Sequence, residues 1–195
     1  MPSTPSARTS PSTAAPRLVM IIRHGEKPDG SQPGIDANGN EDSSSLTATG
    51  WDRAHRLVDL FDPPNGALRA GLGRPTAIYA AGANDDGEGT RTRETVTPLA
   101  DALGLPINTD YGKGDEEKLV KHVTDQPGPT LICWQHGEIP GIVDAFPAVS
   151  PKPPSQWPDD RFDVIWTLTE TPDGWTFAQL PELVLPQDSP DVIED

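Results

Sequence analysis

Apolar and polar positions follow two rhythms along this chain. Leu18 to Ile22 (LVMII), Thr76 to Ala80 (TAIYA) and Thr130 to Trp134 (TLICW) are short, nearly unbroken apolar runs, the pattern of strands buried on both faces of a parallel sheet. Between them the period lengthens to that of a helix. Leu46 to Phe61 sets Leu46, Trp51, Ala54, Leu57, Val58 and Phe61 near helical spacing and stops at Asp62, Pro63 and Pro64. Thr92 to Leu103 repeats the pattern with Val96, Leu99, Ala100 and Leu103, and Gly104 is placed to cap it. A third helix is expected from Asp115 to Val123. Phe162 to Thr169 and Trp175 to Leu180 flank Pro172, Asp173 and Gly174, which reads as a terminal antiparallel hairpin. Buried strands alternating with helices predict a three-layer α/β/α sandwich around a mostly parallel sheet, and such sheets carry their sites at the carboxyl ends of the strands.

The 195 residues suit one core, and a content of 34% hydrophobic residues with 23 prolines and 18 glycines suits a globular domain with loose ends. We expect a disordered leader over 1–17, a folded domain over 18–185 and a solvated acidic tail over 186–195. The leader carries Pro2, Pro5, Pro11 and Pro16, which oppose the amphipathic helix of a transit peptide, and lacks the apolar stretch of a secretory signal. A soluble, cytoplasmic protein is the resulting expectation. The formal net charge of −15 argues against nucleic acid and anionic membranes as partners. The single cysteine, Cys133, excludes an internal disulfide framework and a multi-cysteine zinc site, and within its apolar strand it reads as inert core.

Two of the four histidines stand at predicted strand ends. The first strand runs into Arg23, His24, Gly25 and Glu26, and the third runs through Gln135 into His136, Gly137 and Glu138. His55 and His122 fall inside predicted helices among Arg53, Arg56 and Lys121, and are read as members of solvated faces. The wording around the first pair is specific: VMIIRHGEKP resembles the RHG signature of the histidine phosphatase superfamily, the phosphoglycerate mutase-like proteins. SLTATGWDRAHRL is similar to that family's first helix through Leu46, Thr47, Gly50, Arg53 and Ala54. RTRETVTPLA resembles its second arginine motif, with Arg91 followed four residues on by Thr95, and LICWQHGEIP supplies the second histidine. The likeness runs in order from about Leu18 to about Leu185.

The resemblance implies a phosphoglycerate mutase-like fold and hydrolysis of a phosphomonoester through a phosphohistidine on His24, with neither metal nor cofactor. Enzymes of the histidine acid phosphatase type work this way. Arg23, Arg91 and His136 are then the expected phosphate-binding groups, and arginine suits the task because its planar fork holds two phosphate oxygens and keeps its proton. For the acid that protonates the leaving group, Glu138 comes first, because His-Gly-Glu resembles the His-Ala-Glu of phytase-like relatives. In the mutase-like branch the acid is a glutamate just upstream of a Tyr-Gly pair; here Tyr111 and Gly112 follow Asp110, with Asn108 at the glutamate position. Asp110 and Glu26 therefore remain as alternatives, Glu26 also as a substrate-binding residue, while Lys27 reads as solvated. Relatives often carry Ser-Pro before the second arginine, where this chain has Ala80, Ala81 and a loop from Gly82 to Thr90, so Arg93 stands as the surface-facing alternative to Arg91.

Other chemistries lack their signatures. Asn84, Asp86, Glu88 and Gly89 mimic the start of a calcium loop, but its twelfth position is Thr95; the similar Asp36, Asn38 and Asn40 set has Glu41 where the turn glycine belongs. There is no GxSxG elbow and no Walker loop. The expected partner is a small phosphorylated substrate, and no long insertion stands ready to cap the site, which favours a phosphatase over a mutase. A protein phosphohistidine phosphatase and a noncatalytic phospholigand-binding module are the alternatives, and oligomeric state is left open.

Overall fold

Three apolar runs become the centre of one sheet in the computed structural model, which describes residues 16–83 and 88–195. Strands β1 (Leu18–Arg23), β2 (Ala77–Ala80), β3 (Ile107–Asn108) and β4 (Thr130–Trp134) are parallel and lie in the order β3-β2-β4-β1. Helices α1 (Ala48–Phe61), α2 (Glu88–Leu103) and α3 (Glu116–Val123) connect them. After β4 come α4 (Ile139–Asp144), the short β5 (Val149–Ser150), and the hairpin of β6 (Val164–Thr171) and β7 (Gly174–Pro181). The hairpin extends the sheet beyond β1, with β6 antiparallel to both β1 and β7.

The unbroken hydrophobicity of β1 and β4 follows from helices on both faces. Val19, Ile21, Ile132 and Trp134 pack with residues of α3 and α4, whereas Met20, Ile22, Leu131 and Cys133 pack with α1 and α2. This is the predicted three-layer sandwich. Gly104 caps α2 as expected: at φ +65° it adopts the left-handed conformation, donates to the Asp101 carbonyl at 3.2 Å and lets Leu105 donate to Ala100 at 2.9 Å.

Several expectations need correction. The pattern missed β3, α4 and β5, of which the strands are two residues long and the helix contains Pro140 and Gly141. The end of the chain is not a free solvated tail, because Ile193 is buried and the Asp188 side chain, 1% exposed, pairs with Arg53. His122 is half-buried, its ring 5.9 Å from Tyr79 and 5.7 Å from Tyr111, while His55 is exposed as expected. Most of the leader (1–15), and Asn84 and Asp86 of the calcium-like run, lie outside the described residues. Among the described residues no helix is long and apolar enough to cross a membrane.

Candidate active site

The parallel ladder between β1 and β4 continues one step past Arg23, where the His24 amide donates to the Trp134 carbonyl at 3.2 Å. This fixes His24 at the carboxyl edge of the sheet. The residue is 4% exposed and its Nδ1 lies 2.7 Å from the Gly25 carbonyl, which can only accept, so Nδ1 carries the proton and Nε2 keeps its lone pair. Burial, and then the Arg23 guanidinium, push the His24 pKa down to about 3 against the opposing pull of the Gly25 carbonyl. A neutral imidazole with an available Nε2 is a nucleophile at any physiological pH.

Gly25 has no room for a side chain. A Cβ there would lie 3.0 Å from the Gly50 carbonyl oxygen, and one on Gly50 would lie 2.7 Å from the Glu26 oxygen and 2.9 Å from the Glu26 nitrogen. The two glycines let the loop after β1 lie against the first turn of α1. Thr47 holds the same junction, its amide donating to Glu26 at 2.9 Å while its hydroxyl accepts from Gly50 as the helix cap. On the other side the Gly25 amide donates to Thr95 Oγ1 at 2.8 Å, and that hydroxyl donates back to the Arg91 carbonyl at 2.7 Å. The four-residue spacing of Arg91 and Thr95 thus ties α2 to the loop that carries His24.

Arg23 is wholly buried, and its Nη1 donates to the backbone oxygens of Pro158, Asp159 and Arg161 at 3.2, 2.7 and 2.9 Å. Its guanidinium carbon stands 3.8 Å from the centre of the Phe162 ring. Nε and Nη2 are buried and have no protein acceptor. Burial lowers its pKa to about 10, which leaves it cationic at neutral pH. A fixed cation with two unused donors has the form of an oxyanion cradle.

A cleft of about 200 Å³ is lined by His24, Lys27, Arg91, Lys113, Gln135, His136 and Glu138, so cations prevail locally although the chain is strongly acidic. His136 Nε2 contacts Asp159 Oδ1 at 2.7 Å; burial, then Arg23, lower the His136 pKa while Asp159 opposes the shift. Glu138 Oε1 pairs with Lys113 Nζ at 2.9 Å. Lys27, expected to be solvated, belongs to this lining. Arg93 is exposed and outside it, as is Asp110, which is engaged with Asn108.

Glu26 stands apart. It lines a larger groove of about 490 Å³ that shares Lys27 with the cleft and is bounded also by Asp29, Asp160 and Phe162. Its carboxylate is held by Arg53, which is 2% exposed and makes 2.7 Å contacts to Glu26, Glu182 and Asp188. Burial works to lower the Arg53 pKa, but the three carboxylates outweigh it and carry it upward. Glu182 is buried, its Oε1 lacks a partner, and burial together with its acidic neighbours drives its pKa up despite Arg53. This buried network, Lys113 and the Pro158 to Phe162 loop around Arg23 have no signal in the local sequence. Gln135 carried one legible signal, a polar residue between a buried strand and a motif histidine.

The architecture has known counterparts. No protein-family model and no curated protein sequence matches the chain. Among solved structures, the protein histidine phosphatase SixA complexed with tungstate is 16% identical with a TM-score of 0.54, covering 85% of this chain and 97% of its own. A mycobacterial glucosyl-3-phosphoglycerate phosphatase in complex with VO3 is 11% identical with a TM-score of 0.51, covering 85% of this chain and 98% of its own. Both belong to the histidine phosphatase superfamily, and the likeness gives this chain the phosphoglycerate mutase-like fold anticipated from its motifs.

Proposed function

We propose that the protein is a phosphomonoester hydrolase that works through a phosphohistidine on His24, with a small phosphorylated molecule as substrate. The observation that carries this reading is the pairing of a neutral His24, its Nε2 unencumbered, with the two unpartnered buried donors of Arg23. Phosphoryl transfer demands chiefly positioning and neutralisation of spreading negative charge, and Arg23, Arg91 and His136 are the groups suited to both. Nε2 attacks phosphorus in line, the bond to the ester oxygen breaks, and Glu138 supplies the proton that the departing oxygen takes. Water then attacks the phosphohistidine, Glu138 recovers a proton from it, the phosphorus–nitrogen bond breaks, and inorganic phosphate leaves. The fixed arginines occupy the charge-neutralising role that cations fill in metal-dependent phosphatases, so chelators should leave the activity unchanged.

Dephosphorylation of phosphohistidine on a protein is the second reading, because the fold is shared with one phosphatase described as acting on protein histidine and one on a phosphorylated metabolite. A panel of small phosphate esters assayed beside a phosphohistidine protein separates the two. Turnover of the esters supports the first reading, turnover of the protein alone the second, and turnover of neither leaves a phospholigand-binding module.

A further inference from the structure

Gln135 is the residue between the end of β4 and His136, and its whole residue is 6% exposed. Both polar atoms of its amide, Nε2 and Oε1, are buried and have no hydrogen-bond partner. A buried amide left in this condition is destabilising, and native folds rarely keep one without a use. Gln135 also lines the cleft with His24, Arg91 and His136.

Its register is informative. Ile22 pairs with Cys133 and Arg23 with Trp134, so the next step of the parallel ladder, maintained by the His24 amide on the Trp134 carbonyl, sets His24 level with Gln135. Side chains alternate along both strands, and Ile22 and Cys133 face α1 and α2, so His24 and Gln135 continue that same face on neighbouring strands. Arg23 continues the opposite face. On its own face of the sheet His24 therefore has, level with it on the neighbouring strand, a residue whose amide is buried and unused, and both residues line the cleft.

Resting on the proposed phosphatase reading, we infer that Gln135 is a phosphoryl-binding residue whose amide N–H donates to a nonbridging oxygen of the group transferred to His24. Glutamine suits this position better than a further cation would. It adds a donor without adding positive charge to the surroundings of His24, whose neutrality needs no more than burial and Arg23 already supply. A carboxylate of the same size would present no donor and would repel the phosphoryl oxygens.

The test uses orthovanadate and inorganic phosphate as probes on the full chain, with the thermal midpoint and a titration as readouts. Gln135→Leu removes the polar atoms at similar volume and Gln135→Glu replaces the donor with a charge. Gln135→Met serves if the branched leucine does not fold. The free leucine or methionine variant should melt at or above wild type, because an unsatisfied amide has been removed, while binding both oxyanions at least about tenfold more weakly, the loss expected for one hydrogen bond to a charged group. Gln135→Glu should bind them more weakly still. A packing role would do the reverse, lowering the melting point and leaving oxyanion affinity alone, and that outcome overturns the inference. Failure of wild type itself to bind either oxyanion would instead overturn the phosphatase reading on which the inference stands.

Discussion

Lowering the pH separates two consequences of burying His24 that an exposed histidine would not show. With a pKa near 3 in the folded chain, the ring stays about 99% neutral at pH 5, whereas a histidine titrating at 6.5 would be only about 3% neutral. The rate of phosphoenzyme formation per folded molecule should therefore stay flat from pH 7 to pH 5 as far as the nucleophile determines it. Stability should respond in the opposite sense. A depressed folded pKa contributes stability that is complete above 6.5 and is lost as pH falls toward 3, at up to about 1.4 kcal/mol per pH unit. Because His24 is almost wholly buried, little solvent screening reduces that figure. Glu182, shifted upward, contributes with the opposite slope, so the His24 share must be read as a difference. Denaturant unfolding of wild type and His24→Asn at half-unit steps from pH 7 to 4 isolates it, and single-turnover quench on wild type supplies the rate. Wild type should lose about 1.7 kcal/mol more than His24→Asn between pH 6.5 and 5. Equal acid slopes in the two proteins, or a single-turnover rate falling with a midpoint near 6.5, would refute the placement of His24 as a buried neutral base.

Gly50→Ala puts a methyl group 2.7 Å from the Glu26 oxygen, so the loop carrying His24 must move by several tenths of an ångström; kcat/KM should fall roughly 10- to 100-fold while the melting point changes little, and an unchanged kcat/KM would show that the junction does not position the site. Glu182→Gln abolishes a titration displaced from 4.5 to about 8, and since a raised folded pKa removes stability as pH rises through that window, the variant should gain on wild type from pH 5 to 8 in denaturant unfolding, by no more than about 1.4 kcal/mol per pH unit; a constant difference would count against a protonated Glu182 in the Arg53 network. Glu138→Gln should lose far more single-turnover activity on an alkyl phosphate than on p-nitrophenyl phosphate, whose leaving group needs no proton, whereas equal losses would make Glu138 a binding residue and bring Asp110 and Glu26 back into consideration.

The parts of this structure that were legible in the sequence are those whose causes are local or periodic. LVMII and TLICW announce strands covered on both faces because each residue in turn meets a helix layer, and α1 shows its buried stripe through Ala54, Leu57 and Phe61. Gly25, Gly50, Arg91 and Thr95 were readable as motif positions, but their reasons are tertiary: two glycines in backbone contact, and a threonine linking α2 to the Gly25 amide. Arg53 looked like an ordinary residue of a helix signature. Its burial depends on Glu182 and Asp188, which arrive from the far end of the chain, and no window around Arg53 contains them. The same holds for Arg23 and its backbone acceptors at Pro158, Asp159 and Arg161. The place of Glu26 after the RHG motif suggests substrate binding; its carboxylate accepts from Arg53 and lines the larger groove.

Rapid quench of wild type mixed with a phosphate-labelled ester, followed by mapping of the labelled residue, identifies the group that accepts the phosphoryl. The phosphoenzyme should be stable to base and labile to acid, form at a rate competent for turnover, carry its phosphoryl group on His24, and be absent from a folded His24→Ala variant that has lost activity. Turnover by wild type with the label on another residue, or near-normal turnover by His24→Ala, would contradict phosphoryl transfer to His24.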